Sequence, residues 1–165
     1  MEVAEKQPSL LEQATALAPW MHIRQIRLSK SSVESNPTND TATLQLQHSF
    51  DATSTLDRER EILTVRASLT VSAATCLRVD ADFILEYAVD KSALDVADKC
   101  GNAFGKMTGI YNAWPYWREY VQTTVSRFGL PPLTLPLVTA TSMLAYYAEK
   151  EKADMPAVVS PEVQD

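Results

Sequence analysis

Two cysteines, Cys76 and Cys100, are too few for a disulfide framework and compatible with a reducing compartment. No basic run occurs anywhere in the chain. The nearest approach, Asp57-Arg58-Glu59-Arg60-Glu61, alternates in sign and reads as a solvated turn. The formal net charge is −6, whereas nucleic-acid phosphates are gripped by clustered Lys and Arg, so a nucleic-acid partner is excluded. No apolar run approaches the ~20 residues that a membrane-spanning helix needs. The start, Met1-Glu2-Val3-Ala4-Glu5-Lys6, lacks the positive region of a signal peptide, and the apolar patch over 10–19 is broken by Glu12 and Gln13. A cytoplasmic protein without membrane insertion is expected.

Catalytic signatures are missing too. Gly101-Asn102-Ala103-Phe104-Gly105-Lys106-Met107 has three residues between its glycines where a phosphate loop has four, and Met107 stands where Ser or Thr would bind magnesium. A metal site from His22, His48, Cys76 and Cys100 would need four scattered residues to converge, with no C-x-x-C or H-x-x-x-H pair among them. Asp80, Asp82 and Glu86 share a strand face, which would suit paired-carboxylate chemistry but suits a solvated face better. No Gly-x-Ser-x-Gly elbow is present. The expectation is a non-enzyme with no cofactor and no metal.

What is present is pattern. With 165 residues the chain suits one domain. Residues 1–19 read as a flexible N-terminal tail, with a short helix at Ser9–Ala18 closed by Pro19; 20–152 form the domain, and 153–165 a disordered C-terminal tail. His22–Leu28, running on to Val33, is a first strand, followed by the turn formers Asn36-Pro37-Thr38-Asn39-Asp40. Thr41–Phe50 then alternates, with Leu44, Leu46, His48 and Phe50 on one face. Ile62–Ser72 does the same through Leu63, Val65, Ala67, Leu69 and Val71, and Leu77–Val89 through Val79, Ala81, Phe83, Leu85 and Tyr87. The links Asp51–Glu61 and Ala73–Cys76 suit hairpins. Strands first and helices after predict an α+β fold, a four-stranded antiparallel sheet with helices packed on one face.

Beyond Asp90 the period changes. Ser92–Lys99 is helix-compatible, and Gly101–Lys106 reads as flexible. Asn112–Gly129 carries two of the three tryptophans and full helix punctuation: Asn112 as N-cap, Pro115 in the first turn, Gly129 as the left-handed stop. Pro131-Pro132 then forbid continuation, Leu130–Leu137 must be extended, and Thr139–Lys152 forms the last helix. On a helical wheel the apolar positions of the long helix cover about half the circumference, where a docked helix needs roughly a 100° stripe. Such a band fits two contacts, one with the sheet and one with another subunit, and it equally fits a deeply buried helix of a monomer. Apolar surplus recurs in Leu130, Leu133, Leu135 and Leu137 and in Met143, Leu144, Tyr146 and Tyr147, a composition suited to recognising polypeptide.

Trp114-Pro115-Tyr116-Trp117-Arg118-Glu119-Tyr120-Val121, then Val125-Ser126-Arg127-Phe128-Gly129 and Leu130-Pro131-Pro132-Leu133-Thr134-Leu135-Pro136-Leu137-Val138, resembles the SecB family of protein-export chaperones. That family has an aromatic-Pro-Tyr-x-Arg-Glu helix ending in Val-Ser-Arg, followed by a Pro-x-Leu-x-Leu-x-Pro-Val segment, and the likeness covers about residues 21–148. It implies ATP-independent holding of unfolded or precursor polypeptides, with no cofactor, by a homotetramer built as a dimer of dimers. The client-binding residues carried over are Leu44, Leu46, Met143, Leu144 and Tyr147. The oligomer interface is carried by Trp117, Tyr120, Val121, Thr124 and Val125. The family docks on the motor SecA partly through acidic residues on the first and fourth strands, but the matching positions read Lys30, Glu34 and Arg78, two of them basic, and the acidic tail is reduced to Glu162 and Asp165. A SecB-like chaperone serving another client, such as an antitoxin, is the alternative within the family. A small-ligand-binding or enzymatic α+β domain is the alternative of another class, and a purely structural oligomerisation module a third.

Overall fold

The alternating segments form one antiparallel sheet. In the computed structural model, which describes residues 8–36, 46–73, 76–130 and 133–154, the strands are β1 (Met21–Ser35), β2 (Leu46–Asp57), β3 (Ile62–Ala73) and β4 (Leu77–Val89), in the order β1-β4-β3-β2. Every pairing is antiparallel. Each core-facing residue of β3 is 2% exposed or less, and those of β4 are nearly as deep, while Arg66, Ser68 and Arg78 face water. The polar pattern breaks at Ile62, where β3 begins, and at Ile84. Ile84 lies on the wet face yet is buried, flanked in register by Arg27 and Arg66, whose aliphatic stems suit such a role.

The link expected over Asp51–Glu61 shortens to four residues. Phe50, Ala52, Ser54 and Leu56 continue the inward alternation opposite Leu69, Ala67, Val65 and Leu63, so β2 runs on to Asp57. Glu61 then takes a positive φ of 54° to close the hairpin. Residues 41–45 of the expected second strand lie outside the described residues.

The expected flexible segment Gly101–Lys106 is a correction. Leu94–Phe104 (α2), a π turn at Gly105–Gly109 and Ile110–Arg127 (α3) form one uninterrupted helical rod, with right-handed backbone through both junctions. Asn112 is therefore no N-cap; it lies within the rod and its Nδ2 donates to the Tyr87 hydroxyl at 3.0 Å. Pro115 sits inside the helix, on its solvent side. The glycines serve packing where the sequence suggested a loop. A Cβ on Gly105 would lie 3.3 Å from Val65 Cγ1, and one on Gly109 only 2.8 Å away, so their bareness lets the rod press on the centre of the sheet. At the far end Gly129 does supply the left-handed stop (φ 69°). Leu130 N–H reaches Val125 O and Gly129 N–H reaches Ser126 O, a Schellman closure. Pro131 and Pro132 lie outside the described residues.

The N-terminal segment is also corrected. Leu10–Leu17 forms a helix, α1, that buries Ala14 and Leu17 against α2 and the π turn, so residues 10–17 belong to the domain and are no flexible tail. The last helix, α4, spans Ala140–Asp154, two residues beyond the expected domain boundary; residues 155–165 lie outside the described ones. Among the described residues, no helix is long and apolar enough to cross a membrane.

Candidate functional site

Three elements build an apolar groove. Helix α1 starts there because Ser9 and Glu12 cap it reciprocally: Glu12 N–H donates to Ser9 Oγ at 3.3 Å, and Ser9 N–H to Glu12 Oε2 at 2.7 Å. Helix α4 starts the same way, Thr139 N–H donating to Ser142 Oγ at 2.9 Å and Ser142 N–H to Thr139 Oγ1 at 3.1 Å. The proline-rich segment before α4 is pinned by side chains of α3, with Trp114 Nε1 donating to Pro136 O and Arg118 Nε to Leu135 O, both at 2.9 Å. Between these fixed ends lies a groove of about 500 Å³. Its walls are Leu11, Ala14 and Thr15 from α1 with Ala18 directly after it, Met107, Thr108 and Tyr111 from the rod, and Val138, Thr139, Ala140 and Met143 at the head of α4. Leu11 and Tyr111 are substantially exposed, as is Leu137 beside Val138, so the groove opens onto further apolar surface.

On the other side of α4 is an aromatic cluster. The Phe50 ring stacks on Tyr146 at 4.1 Å and meets Trp114 and Tyr147 edge-on at 5.7 and 5.8 Å. Phe50 N–H donates to the Tyr146 hydroxyl at 3.2 Å, and Lys150 Nζ lies 2.6 Å from Asp51 Oδ2. Burial pushes the Asp51 carboxyl up, but hydrogen bonds from Lys150 and the Ala52 N–H outweigh it and leave the pKa below the ordinary value. Lys106 Nζ sits 5.4 Å over the Tyr147 ring. Burial raises the Tyr147 phenol, whose hydroxyl has no hydrogen-bond partner among the described residues.

The residues expected to bind clients are distributed differently. Leu44 lies outside the described residues. Leu46 is exposed and Leu144 half-buried, as binding residues should be, but Met143 and Tyr147 are 1% and 3% exposed and belong to the core. Only Met143 of the set lines the groove, from its floor. The expected subunit seam is a second correction. Trp117 and Val121 are 0% exposed, Val125 1% and Thr124 8% within this one chain, so they fill the space between α3 and its own sheet and have no surface left for another subunit. Tyr120 alone of the five is half-buried, stacked on Trp117 at 6.2 Å. The exposed aromatics of that helix are Tyr111, Tyr116 and, at its end, Phe128.

Lys30, Glu34 and Arg78, carried over as motor-docking positions, do share the exposed polar face, and Glu34 stands opposite Arg78 in register. Arg78 is engaged elsewhere: its Nε and NH2 grip both oxygens of Asp80 at 2.8 Å. Burial raises the Asp80 carboxyl, yet hydrogen bonds from Thr70 and Arg78 bring it net below the usual range. Among the described residues, no group of three or more His, Cys, Asp or Glu could hold a metal ion.

No protein-family profile matches the chain, and no curated protein matches it either. Among solved structures it is similar to the SecB-like chaperone Rv1957 of Mycobacterium tuberculosis, in complex with a ChAD peptide from the Rv1956 HigA1 antitoxin. The TM-score is 0.65 at 23% identity, over 79% of this chain and 96% of that one. The fold is SecB-like. A protein of unknown function from Streptococcus agalactiae aligns at a TM-score of 0.39 and 9% identity, over 71% of this chain and 97% of that one. On the SecB-like sheet-and-rod frame, the groove residues missed from sequence include those of α1 and the π turn. Their signals were the Ser9/Glu12 capping box with Leu10, Ala14 and Leu17 at helical spacing, and glycines at 101, 105 and 109, four residues apart.

Proposed function

We propose that this protein is an ATP-independent chaperone that holds extended, apolar segments of unfolded polypeptide. The observation that carries this reading is the groove between α1, the rod and the head of α4, open to solvent and rimmed by Leu11 and Tyr111. Its occurrence on a SecB-like fold supports the reading. Each Leu- or Phe-sized client side chain leaving water there contributes on the order of 1.5–3 kcal/mol. Several such seats engaged by one chain add through avidity. No bond is made or broken, and no cofactor enters.

A dedicated client of antitoxin type is favoured over delivery to the export motor. Two of the three positions matching the SecA-docking acids are basic, and Rv1957 is bound to an antitoxin peptide. Cytoplasmic location and homotetrameric assembly belong to the same proposal, with exposed Tyr116 and Phe128 taking the contact expected of Trp117. The test is suppression of aggregation of a chemically unfolded client, comparing the protein with Tyr111→Asp, a change at an exposed rim position whose melting temperature should be unaltered. Suppression by the parent and its loss in the variant is the expected result. No suppression at a several-fold excess sinks the chaperone reading; full activity in Tyr111→Asp removes the groove as the seat.

A further inference from the structure

Helix α1 is held by one narrow face. Leu10, Ala14 and Leu17, spaced i, i+4 and i+7, turn inward; Ala14 and Leu17 are buried against α2 and the π turn, and Leu10 is half-buried. An isolated helix shorter than about 12–15 residues is marginal in water, so the eight residues of α1 are helical by virtue of that seat. The segment nonetheless carries its own ends. Ser9 and Glu12 cap it, Gln13 Nε2 donates to Pro8 O at 2.8 Å, and Pro19 in the short turn Ala18–Trp20 stops it. Beyond that turn the chain is tied to the sheet, where Asp90 N–H donates to Trp20 O at 3.1 Å. A short amphipathic helix with its own caps, laid on other helices, is also the form in which many proteins hold a helix of a partner.

The neighbouring face of α1 fits less well. Leu11, Thr15 and Ala18 form a second helical stripe, are exposed, and line the groove of about 500 Å³ together with Ala14. Thr15 and Ala18 offer only short side chains to a groove whose other walls include Met107, Tyr111 and Met143. Seat and groove are continuous, since Ala14 belongs to both. We propose that the seat of α1 is a helix-binding site whose resident helix exchanges for an amphipathic helix of a partner protein, one carrying Leu-sized side chains where α1 has Thr15 and Ala18. Such a helix fills seat and groove at once and takes more apolar surface out of water than α1 does. No charged side chain lines the groove, so the inner stripe of the partner helix is apolar throughout. A second copy is the wrong occupant, because its α1 would bring the same short side chains and gain nothing in the groove over the resident helix. The partner's apparent affinity is its intrinsic affinity reduced by the fraction of chains in which α1 is undocked. What exchanges here is a helix, a different ligand from the extended segments held by a chaperone.

The probes are end-capped, dye-labelled peptides of the sequence Ser9–Ala18, added to the full chain and read by fluorescence anisotropy. One is unchanged, one carries Thr15→Leu and Ala18→Leu, and one adds Leu17→Asp to those two changes. The leucine-filled peptide should bind at least about tenfold more tightly than the unchanged one, and the peptide with Leu17→Asp should not bind. In the parent, amides of residues 10–17 should exchange faster than those of β3 and β4, as a segment that undocks by itself must. Ser9→Ala in the protein removes an exposed cap of α1 and leaves the seat untouched. It should speed exchange over residues 10–17 and tighten the leucine-filled peptide about fivefold, while β3 and β4 stay slow. Amides of α1 that exchange only as slowly as those of β3, in parent and Ser9→Ala alike, would make α1 a fixed part of the core and overturn the proposal. An affinity that Ser9→Ala leaves unchanged overturns it as well, since the peptide then sits elsewhere. Dimers of the parent that the leucine-filled peptide dissociates would give the seat to α1 of a second copy, against the proposal. None of these readouts uses an unfolded client, so failure of helix exchange and failure of the chaperone reading are distinguishable.

Discussion

Val65 of β3 lies against the bare Cα of Gly109, where a Cβ would come within 2.8 Å of Val65 Cγ1. The contact sits beneath the π turn, and Val65 is fully buried, so neither side can yield cheaply. Gly109→Ala is expected to destabilise by about 1–3 kcal/mol, as overpacking does, even though alanine is the better helix former. Gly105→Ala, at 3.3 Å, should cost less. Denaturant melts of both variants check the order. Val65→Ala combined with Gly109→Ala should recover part of the loss, and strict additivity would refute the contact as its cause.

That contact also marks where the chain was legible and where it was not. Period-two alternation in Ile62–Ser72 and Leu77–Val89 gave the sheet, because a half-buried strand has no other way to sort its side chains. Gly129 was readable as a stop because only its local backbone mattered. Gly101, Gly105 and Gly109 were not: glycine looks like flexibility locally, and their use as space for Leu63 (Gly101) and Val65 (Gly105 and Gly109) exists only once the sheet is built. Trp117 failed for a related reason. A wheel shows how wide an apolar band is, but not whether its second half meets a subunit or the chain's own segment 133–139. The groove was hidden because α1, rod and α4 are brought together from distant parts of the sequence.

The burial of Trp117 turns an assembly prediction into a stability prediction. With the ring wholly inside and stacked on Tyr120, Trp117→Ala should cost about 3–5 kcal/mol through the cavity it leaves. Its Nε1 has no hydrogen-bond partner among the described residues, so Trp117→Phe should be far milder than indole removal usually is. Tyr116→Ser, at a half-exposed ring, should leave the melting temperature unchanged while altering mass in solution if α3 is a subunit contact. Thermal melting with light scattering reads both. A Trp117→Ala variant that melts like the parent would contradict the interior placement.

Asp51 and Lys150 clip α4 to the sheet, and their pH dependence has a definite sign. The carboxyl is held below its ordinary value of 3.8 in the folded chain, so its contribution is present above that pH and is lost as pH falls through the lower folded value. Both side chains are about two-fifths exposed, which limits the pair to at most about 1 kcal/mol. Asp51→Asn keeps an acceptor for the Ala52 N–H and removes only the charge. Its melting temperature should be slightly lower at neutral pH, and the drop from about pH 5 to about pH 3 should be smaller than in the parent. Equal drops would show that the pair plays no part in acid sensitivity.

Tyr146 offers the sharpest test of how the β2 edge is protected. Its hydroxyl accepts from Phe50 N–H while its ring stacks on the Phe50 ring, so one side chain both caps and covers the edge. Tyr146→Phe keeps the ring and removes the acceptor, leaving a part-buried donor unsatisfied at a cost of about 1–3 kcal/mol. An uncapped donor on an edge strand is also a template for pairing with another chain. The variant should therefore aggregate faster on mild heating than its stability loss alone explains, with faster amide exchange at Phe50. Asn102→Ala, which uncaps Ser54 N–H four residues along the same edge, should add to the effect. Matching the variants to equally destabilised Trp117 substitutions separates the two causes: if aggregation follows stability alone, the caps on β2 are not what keeps that edge from pairing.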